Sequence, residues 1–417
     1  MGLPSDAGIL IVAALAAAGV VARPFRAPEA VWAVAAAALL VALGWLPLRD
    51  ALHAVALGTD VYLFLAGMML LAEVARREGV FEWIAVHAVN ASRGSTARLF
   101  GLIYAAGIAV TALMSNDATA VVLTPAVFAA ASQAGIKPLP MLFICAFVAN
   151  AASFVFPISN PANLVVYGDH LPALGVWLAH FALPSVLAIA ATYVALRWTQ
   201  RRALQESSQP RGGGKMLGPG GRFAFAAIIV TAAALLIASA LGVRLGLPTA
   251  LLGTLTAVAT SLRTRVSIWP MFRNVSWSVL PLVAGLFVLV EGVQRTGVFG
   301  ALAALVQHAA ASSESPAAFA SGVAIAFGGN AINNLPAALI GRSIVHLAHA
   351  APRITDAIVI GVDLGPNLSI TGSLATILWL AAIRREGENV GFWTFLRVGI
   401  VVMPPALLLA LAARLLV

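Results

Sequence analysis

Apolar runs of about 20 residues follow one another along almost the whole chain, and they constrain the fold more than any other feature. A helix needs roughly 20 apolar residues to cross a bilayer, so each run predicts one span. Ten runs lie near residues 8–22, 30–46, 59–75, 138–157, 172–198, 222–242, 247–262, 277–294, 352–370 and 391–416. Only 10% of the residues are charged, against about 25% in soluble domains. We predict an all-α polytopic membrane protein.

Two further apolar stretches, residues 97–132 and 316–349, are interrupted by polar residues and either cross once or enter and return as re-entrant hairpins. With hairpins and an outer N-terminus, 19 of the 25 Lys and Arg residues fall on the cytoplasmic side and 6 outside. With single crossings the split is 11 to 14, which is no bias. The positive-inside rule therefore favours hairpins and places both termini in the periplasm. The basic residues lie in short loops, which indicates membrane topology and no nucleic-acid partner.

An internal repeat divides the chain into two halves. Residues 66–81 and 284–299 are identical at 8 of 16 positions, at an offset of 218. Five spans per half is an odd number, so the second half enters the membrane upside down, as in many secondary transporters. We predict two inverted repeats, each with a re-entrant hairpin and an unwound, broken helix. Their bounds are 1–198 (hairpin 97–132, broken helix 138–168) and 222–417 (hairpin 316–349, broken helix 352–383), joined by a cytoplasmic linker at 199–221.

Polar residues form the tip of each predicted hairpin. Ser115, Asn116 and Asp117 lie at the first tip, and the repeat offset places Asn333 and Asn334 at the second. Irregular backbone at membrane depth is tolerated only where it is buried in protein or lines a wet cavity. These side chains either cap the returning half-helix or contact a transported solute. Their matched positions favour contact with the substrate.

The predicted broken helices carry a second pair of polar segments. Asn160 and Asn163 follow Pro157 in the first half, and Gly372, Ser373 and Thr376 follow Pro366 in the second. An offset of 213 aligns each member of the first set with one of the second, and aligns Asn150 with Asp363. A helix that unwinds offers backbone groups to a ligand, whereas a merely kinked helix is the alternative.

Two carboxylates lie at membrane depth, Asp117 and Asp363. Each costs about 2.5–3.5 kcal/mol on insertion scales, so each requires a function. We predict that they carry the coupling proton; a structural hydrogen bond is the alternative.

Other ionisable residues near span ends are predicted to be structural. Glu73 and Glu291 precede Arg77 and Arg295 by four residues, the spacing of a helix ion pair. His170 and His180 are predicted to lie at the outer interface.

The motifs of an enzyme are missing from the sequence. The single cysteine, Cys145, cannot build a thiolate metal cage or a CxxC redox pair. There is no GxSxG, HExxH or DDxxD motif. We therefore expect a secondary transporter with no cofactor and no resident metal.

The polar motifs resemble those of the arsenite permease (arsenical pump membrane protein) family of the ion transporter superfamily. They are Ser115-Asn116-Asp117, Asn333-Asn334-Leu335-Pro336 and the string DLGPNLSITGSLATILW that starts at Asp363. The resemblance implies export of arsenite and antimonite across the bacterial inner membrane in exchange for protons. It also implies a possible cytosolic arsenite-stimulated ATPase partner and a possible homodimer.

Residue chemistry adds a constraint on this substrate. One cysteine cannot form a multi-thiolate arsenite site, so Asn, Ser and Thr groups would handle neutral arsenous acid. The alternatives are a sodium-coupled anion carrier of the dicarboxylate type, a sodium/proton antiporter of the same superfamily, and a passive channel.

Overall fold

A computed structural model describes residues 3–24, 27–205 and 216–417. Arg26, Arg211 and Lys215, counted above on the cytoplasmic side, lie outside the described residues, as does the middle of the predicted linker. The described part of the chain is helical and has no strand. The prediction of an all-α membrane protein is therefore confirmed.

The first half contains eleven described α-helices. They are α1 (Leu3–Ala22), α2 (Glu29–Ala42), α3 (Leu48–Leu57), α4 (Thr59–Arg77), α5 (Val80–Ser92), α6 (Thr96–Leu113), α7 (Asn116–Ala118), α8 (Thr124–Gln133), α9 (Leu139–Ala151), α10 (Pro161–Tyr167) and α11 (Leu174–Thr199). A π turn at Thr119–Leu123 joins α7 to α8, so that the chain returns from the first tip as one interrupted helix.

The second half contains ten described α-helices. They are α12 (Pro219–Ala240), α13 (Gly246–Thr264), α14 (Trp269–Asn274), α15 (Val279–Arg295), α16 (Val298–Ser312), α17 (Glu314–Ile332), α18 (Asn334–Ala348), α19 (Pro352–Leu364), α20 (Leu374–Arg385) and α21 (Phe392–Leu416). The order from α15 to α21 follows the order from α4 to α11, with α17 and α18 in the place of the first hairpin.

Two short helices, α5 and α16, follow α4 and α15. The hydropathy of the sequence did not predict them. Gly79 and Gly297, which the repeat aligns, take left-handed backbone conformations with φ of 74° and 80° at these corners. The bend between α15 and α16 is 75°. Among the described residues, six helices are long and apolar enough to span a membrane, and α6 and α17, the first arms of the hairpins, are among them. Helix length alone does not decide whether α6 and α17 cross the whole membrane. The re-entrant hairpins therefore remain a prediction.

Equivalent helices of the two halves exchange their partners. Helix α4 packs against α13, and its counterpart α15 packs against α2; α11 and α21 pack against each other. The first of these contacts is so close that a Cβ on Gly67 would lie 2.2 Å from the Thr249 carbonyl oxygen. Each half therefore completes its packing on the other.

Candidate functional site

Four helices begin inside the protein, and each begins at a polar residue predicted above. Helices α7 and α18 start at the hairpin tips, and α10 and α20 start after the breaks. In each case the side chain accepts a backbone N–H of the first turn, which is N-capping. The bonds run to Ser115 from Ala118 (3.3 Å), to Asn333 from Leu335 (3.4 Å), to Asn160 from Ala162 (3.0 Å) and to Ser373 from Thr376 (3.0 Å).

The residues next to the hairpin caps have no such role. Asn116 and Asn334 are 2% and 3% exposed, and the Oδ1 atom of each is buried without a hydrogen-bond partner. A buried acceptor without a partner costs about 1–3 kcal/mol, so each of these oxygens is available to accept a hydrogen bond from water or from a bound solute. Capping thus explains Ser115 and Asn333 but leaves their neighbours available.

The broken helices of the two halves contact each other through the residues that the repeat aligns. Asn160 donates to Asp363 Oδ1 at 2.6 Å. On the equivalent side, Ser373 donates to Asn150 Oδ1 at 3.4 Å, and Asn150 donates to Thr376 Oγ1 at 3.4 Å. Both pairs join a residue before one break to a residue after the other, so the centre is built by both halves.

Two more acceptors in this region lack partners. Asn163 donates to the Ser153 carbonyl at 2.9 Å, which fixes its amide and leaves Oδ1 as the free end. Asp363 is 1% exposed, and its Oδ2 has no partner. Gly372 has a packing role, because a Cβ there would lie 2.6 Å from Asn330 Oδ1 and from the Pro366 Cα.

Asp117 lines a cavity of about 70 Å³ beside the first hairpin tip. No hydrogen bond or ion pair reaches its carboxylate from the described residues. The walls come from α4, the first tip, the start of α10 and the segment before α15. The polar residues around the cavity are Glu73, Ser115, Asp117, Asn274 and Ser276. Cys145 does not contribute, since its thiol is fully buried on α9.

A much smaller cavity lies at the equivalent place in the second half. Leu282, Leu286 and Asn333 take the places of Phe64, Met68 and Ser115, and the volume is about 10 Å³. A cavity needs roughly 10–15 Å³ to hold one water molecule. The first place therefore has room for a small solute, and the second has room for about one water molecule.

The pairing predicted for Glu73 is wrong in detail. Arg76, three residues on, donates to both Glu73 oxygens at 2.6 Å, and Asn274 donates to Oε1 at 3.2 Å. Arg77 instead reaches the Ser267 carbonyl at 3.4 Å. The pair of Glu291 and Arg295 is present at 3.4 Å, as predicted.

The sequence did not single out Asn330 and Asn367 as site residues. Asn367 donates to the Phe147 carbonyl at 3.1 Å and accepts from Asn150 at 3.0 Å. Asn330 donates to the Gly365 carbonyl at 3.0 Å. Both amides hold the unwound backbone after α19. Their position beside Gly and Pro in the polar strings was the available signal.

Four capped half-helices meet inside an apolar helical bundle, with unpartnered polar groups between them. This arrangement is typical of an integral membrane transporter. Comparison with known sequences identifies the family. The citrate transporter family matches residues 17–364, and the chain belongs to it.

Relatives and solved structures agree with this class. The chain is 29% identical to the arsenical pump membrane protein of Yersinia enterocolitica and 27% identical to that of Escherichia coli K12, over 83% of each chain. It is 28% identical to an uncharacterized transporter of Mycobacterium tuberculosis, over 96% of both. The resemblance to arsenical pumps is thereby confirmed, and the chain is a transporter rather than an enzyme.

Two solved transporters share the fold. The Alcanivorax borkumensis YdaH transporter aligns with a TM-score of 0.56 at 16% identity, over 87% of this chain and 86% of its own. Neisseria gonorrhoeae MtrF, described as one of a class of antimetabolite efflux pumps, aligns with a TM-score of 0.52 at 14% identity, over 90% and 83%.

Proposed function

We propose that the protein exports arsenite, and also antimonite, from the bacterial cytoplasm across the inner membrane by proton antiport. Ser115, Asn116, Asn160, Asn163, Asn333, Asn334, Gly372, Ser373 and Thr376 form the substrate region in this proposal, and Asp117 and Asp363 carry the proton. The proposal rests on one observation, which is the chemistry of the buried groups that have no hydrogen-bond partner.

Those groups are all oxygen acceptors. Among the described hairpin tips and broken helices, the unpartnered buried atoms are Oδ1 of Asn116, Asn163 and Asn334 and Oδ2 of Asp363. A solute that satisfies them must bring hydrogen-bond donors or positive charge. Neutral arsenous acid brings three hydroxyl groups, whereas an ionised carboxylate brings acceptors only. The site therefore favours arsenous acid over citrate.

The distribution of basic residues supports the same choice. Arg414 is the one Lys or Arg among the described residues that is buried, and it pairs with Asp356 instead of facing the cavity. A di- or tricarboxylate buried without a cation would carry a large desolvation cost. Weak neutral contacts suit a solute that must be released on the other side.

Contacts between the halves support the inverted repeat with two hairpins. Arg295 lies 2.6 Å from Asp50, and Arg77 lies 3.4 Å from the Ser267 carbonyl. If residues 97–132 and 316–349 each crossed the membrane once, both contacts would join residues on opposite sides of the bilayer. With hairpins, each contact joins residues on one side.

Alternating access is part of this proposal. In the proposed orientation both cavities lie on the cytoplasmic side of the hairpin tips, because Glu73 and Asn274 line the larger one and Val20 and Glu29 line the smaller one. The larger cavity is therefore the candidate for the cytoplasmic entrance, and export requires a second state that opens towards the periplasm while Asp117 and Asp363 exchange protons. The homodimer and the ATPase partner implied by the resemblance remain predictions.

A sodium-coupled carboxylate carrier is the second candidate, and one observation favours it. Four helix N-termini meet at the centre, and their backbone dipoles favour a negative charge. In this chain their first-turn N–H groups are partly occupied by the caps described above. Uptake of citrate that depends on sodium would establish this candidate.

The test is arsenite uptake into everted membrane vesicles with an acidic lumen. We expect uptake that a protonophore abolishes and that sodium does not change. For one proton per arsenite, each pH unit supports up to about tenfold accumulation. Uptake that ignores the protonophore refutes proton coupling, and citrate uptake without arsenite uptake refutes the substrate.

Carboxamide variants assign the coupling. Asp117→Asn and Asp363→Asn are expected to retain arsenite exchange at equal pH but to lose gradient-driven accumulation. The matched control is Glu386→Gln, which neutralises an exposed carboxylate and should leave accumulation unchanged. A variant that accumulates like the wild type removes that carboxylate from the coupling step.

A further inference from the structure

A buried group of ionisable side chains lies away from the cavity, at the end of the bundle proposed to face the periplasm. Its members come from four helices, two in each half of the chain. They are Tyr167 of α10, His180 of α11, Asp356 of α19 and Arg414 of α21. The sequence predicted an interfacial position for His180 and did not single out Asp356.

Asp356 is the centre of this cluster and has no exposed surface. Arg414 donates to Oδ2 from Nε at 2.7 Å and approaches it with a terminal nitrogen at 2.6 Å. The Tyr167 hydroxyl donates to Oδ1. The buried guanidinium and the hydroxyl satisfy this carboxylate, and removing either charge of the pair would leave the other unpaired.

His180 is only partly buried. Its side chain is 23% exposed, and its Nδ1 lies 2.9 Å from Asp356 Oδ2. Nδ1 is buried and, in the present ring orientation, makes no hydrogen bond despite this short distance. A proton that binds to the ring turns the contact with the carboxylate into an ion pair.

We propose that His180 is a proton-binding site for the periplasmic side, and that its protonation fastens α11 to α19 through Asp356. The proton binding stands on the cluster alone. Its effect on transport rests on the proposed function.

Helices α10 and α19 connect this cluster to the central site. Asn160 and Tyr167 are seven residues apart on one chain segment, as are Asp363 and Asp356 on the other. Asn160 contacts Asp363, and Tyr167 contacts Asp356. Seven residues make about two helical turns, roughly 10 Å, so the same two segments are joined at two levels. A change in the interactions of Asp356 therefore acts on α10 and α19, the segments that hold Asp363 and its partner Asn160.

The opposite end of the bundle has no equivalent cluster among the described residues. An offset of 213 places Phe143 at the position of Asp356, and an offset of 218 places Leu196 at that of Arg414. Phe143 packs there with Phe147, Trp379 and Phe395. The ionisable cluster lies at one end of the bundle and aromatic rings lie at the other. In this proposal the cluster therefore binds protons from the periplasmic side.

The charged groups that face His180 are those of the cluster. Helix α21 contributes Arg414, α19 contributes Asp356, and α10 contributes Tyr167. Helices α9 and α12 also pack against α11 and carry Cys145 and Arg222. No contact given for the described residues joins either of them to His180. Among the described residues, Asp356 is therefore the charged group that contacts His180 directly.

The direct test is nitrogen NMR of the full transporter labelled at histidine, in nanodiscs, over a pH series. The wild type is compared with His180→Gln, which assigns one imidazole signal, and with His170→Gln as the control. We expect the assigned ring to bind a proton within this series and to show an Nδ1 hydrogen bond in its protonated form. It should lose that hydrogen bond in the double variant Asp356→Asn, Arg414→Met, which removes both buried charges together. A His180 signal that is identical in the wild type and the double variant overturns the proposal.

The second test measures initial arsenite uptake into everted vesicles as the lumen is acidified by one pH unit. The wild-type rate should rise by up to about tenfold, because the proton occupancy of a titrating site follows proton activity. His180→Gln should lose part of this response and keep the part that acts through Asp117 and Asp363, whereas His170→Gln keeps all of it. A full response in His180→Gln refutes the link to transport. Absence of arsenite uptake in the wild type refutes the proposed function instead, and the NMR result is then unaffected.

Discussion

Asn160 performs two separable structural tasks, and its substitution gives a quantitative test of the central site. Its Oδ1 caps α10 by accepting the Ala162 N–H at 3.0 Å, and its Nδ2 donates to Asp363 at 2.6 Å. Loss of a cap costs about 1 kcal/mol. Loss of a hydrogen bond to a charged group costs about 1.5–3 kcal/mol. Asn160→Ala should therefore lower the free energy of unfolding by about 2.5–4 kcal/mol.

Asn160→Ser separates the two tasks. Serine caps a helix about as well as asparagine but is too short to reach Asp363 from this position. We expect Asn160→Ser to lose only the second contribution, about 1.5–3 kcal/mol. The assay is reversible unfolding of the purified protein by SDS in mixed micelles, followed by tryptophan fluorescence.

The control for both variants is Asn90→Ala, at an exposed position near the end of α5. It should change the free energy of unfolding by less than about 0.5 kcal/mol. Equal stability of Asn160→Ala and Asn160→Ser would refute the capping role. If both stay within 0.5 kcal/mol of the wild type, the contact with Asp363 contributes nothing.

Three further substitutions test the packing and the polar contacts. Gly67→Ala should destabilise the protein by more than about 2 kcal/mol in the same assay, because the added methyl group meets the Thr249 carbonyl, whereas Gly175→Ala meets nothing within 4 Å and should be neutral. Arg76→Ala should lower the free energy of unfolding by about 1 kcal/mol, since its half-exposed guanidinium pairs with Glu73. Arg77→Ala should lower it by less. If Arg77→Ala has the larger effect, Glu73 pairs with Arg77 at the i,i+4 spacing instead. Asn367→Ala should cost about 2–3 kcal/mol through two lost buried hydrogen bonds, as measured against Asn389→Ala at an exposed site; a neutral Asn367→Ala would show that the unwound segment does not need it.

Hydropathy predicted the long helices well, because a span must be apolar along its whole length. It missed α5 and α16, which have 13 and 15 residues and are too short to register as spans. The repeat was most informative at the tips and breaks, where Ser115, Asn333, Asn160 and Ser373 all became caps. Asn and Ser at matched positions in an apolar run have few other uses.

Contacts between distant helices were beyond the sequence. Asp356 and Arg414 lie 58 residues apart, near the ends of apolar runs, and nothing in either run indicates the other. The choice of Arg76 over Arg77 was also open, because residues three and four apart both face Glu73 on a helix. Tertiary packing against the segment around Ser267 decides between them.

The pairing of Asn160 with Asp363 and of Asn150 with Ser373 sets an order on synthesis in the cell. When the ribosome has completed α11, Asn150 and Asn160 are already in the membrane, but their partners have not been translated. The first half therefore waits with unsatisfied amides in an apolar environment until α19 and α20 have been inserted. Insertion machinery would have to shield this intermediate from lipid while residues 199 to 385 are translated, which is nearly half of the chain.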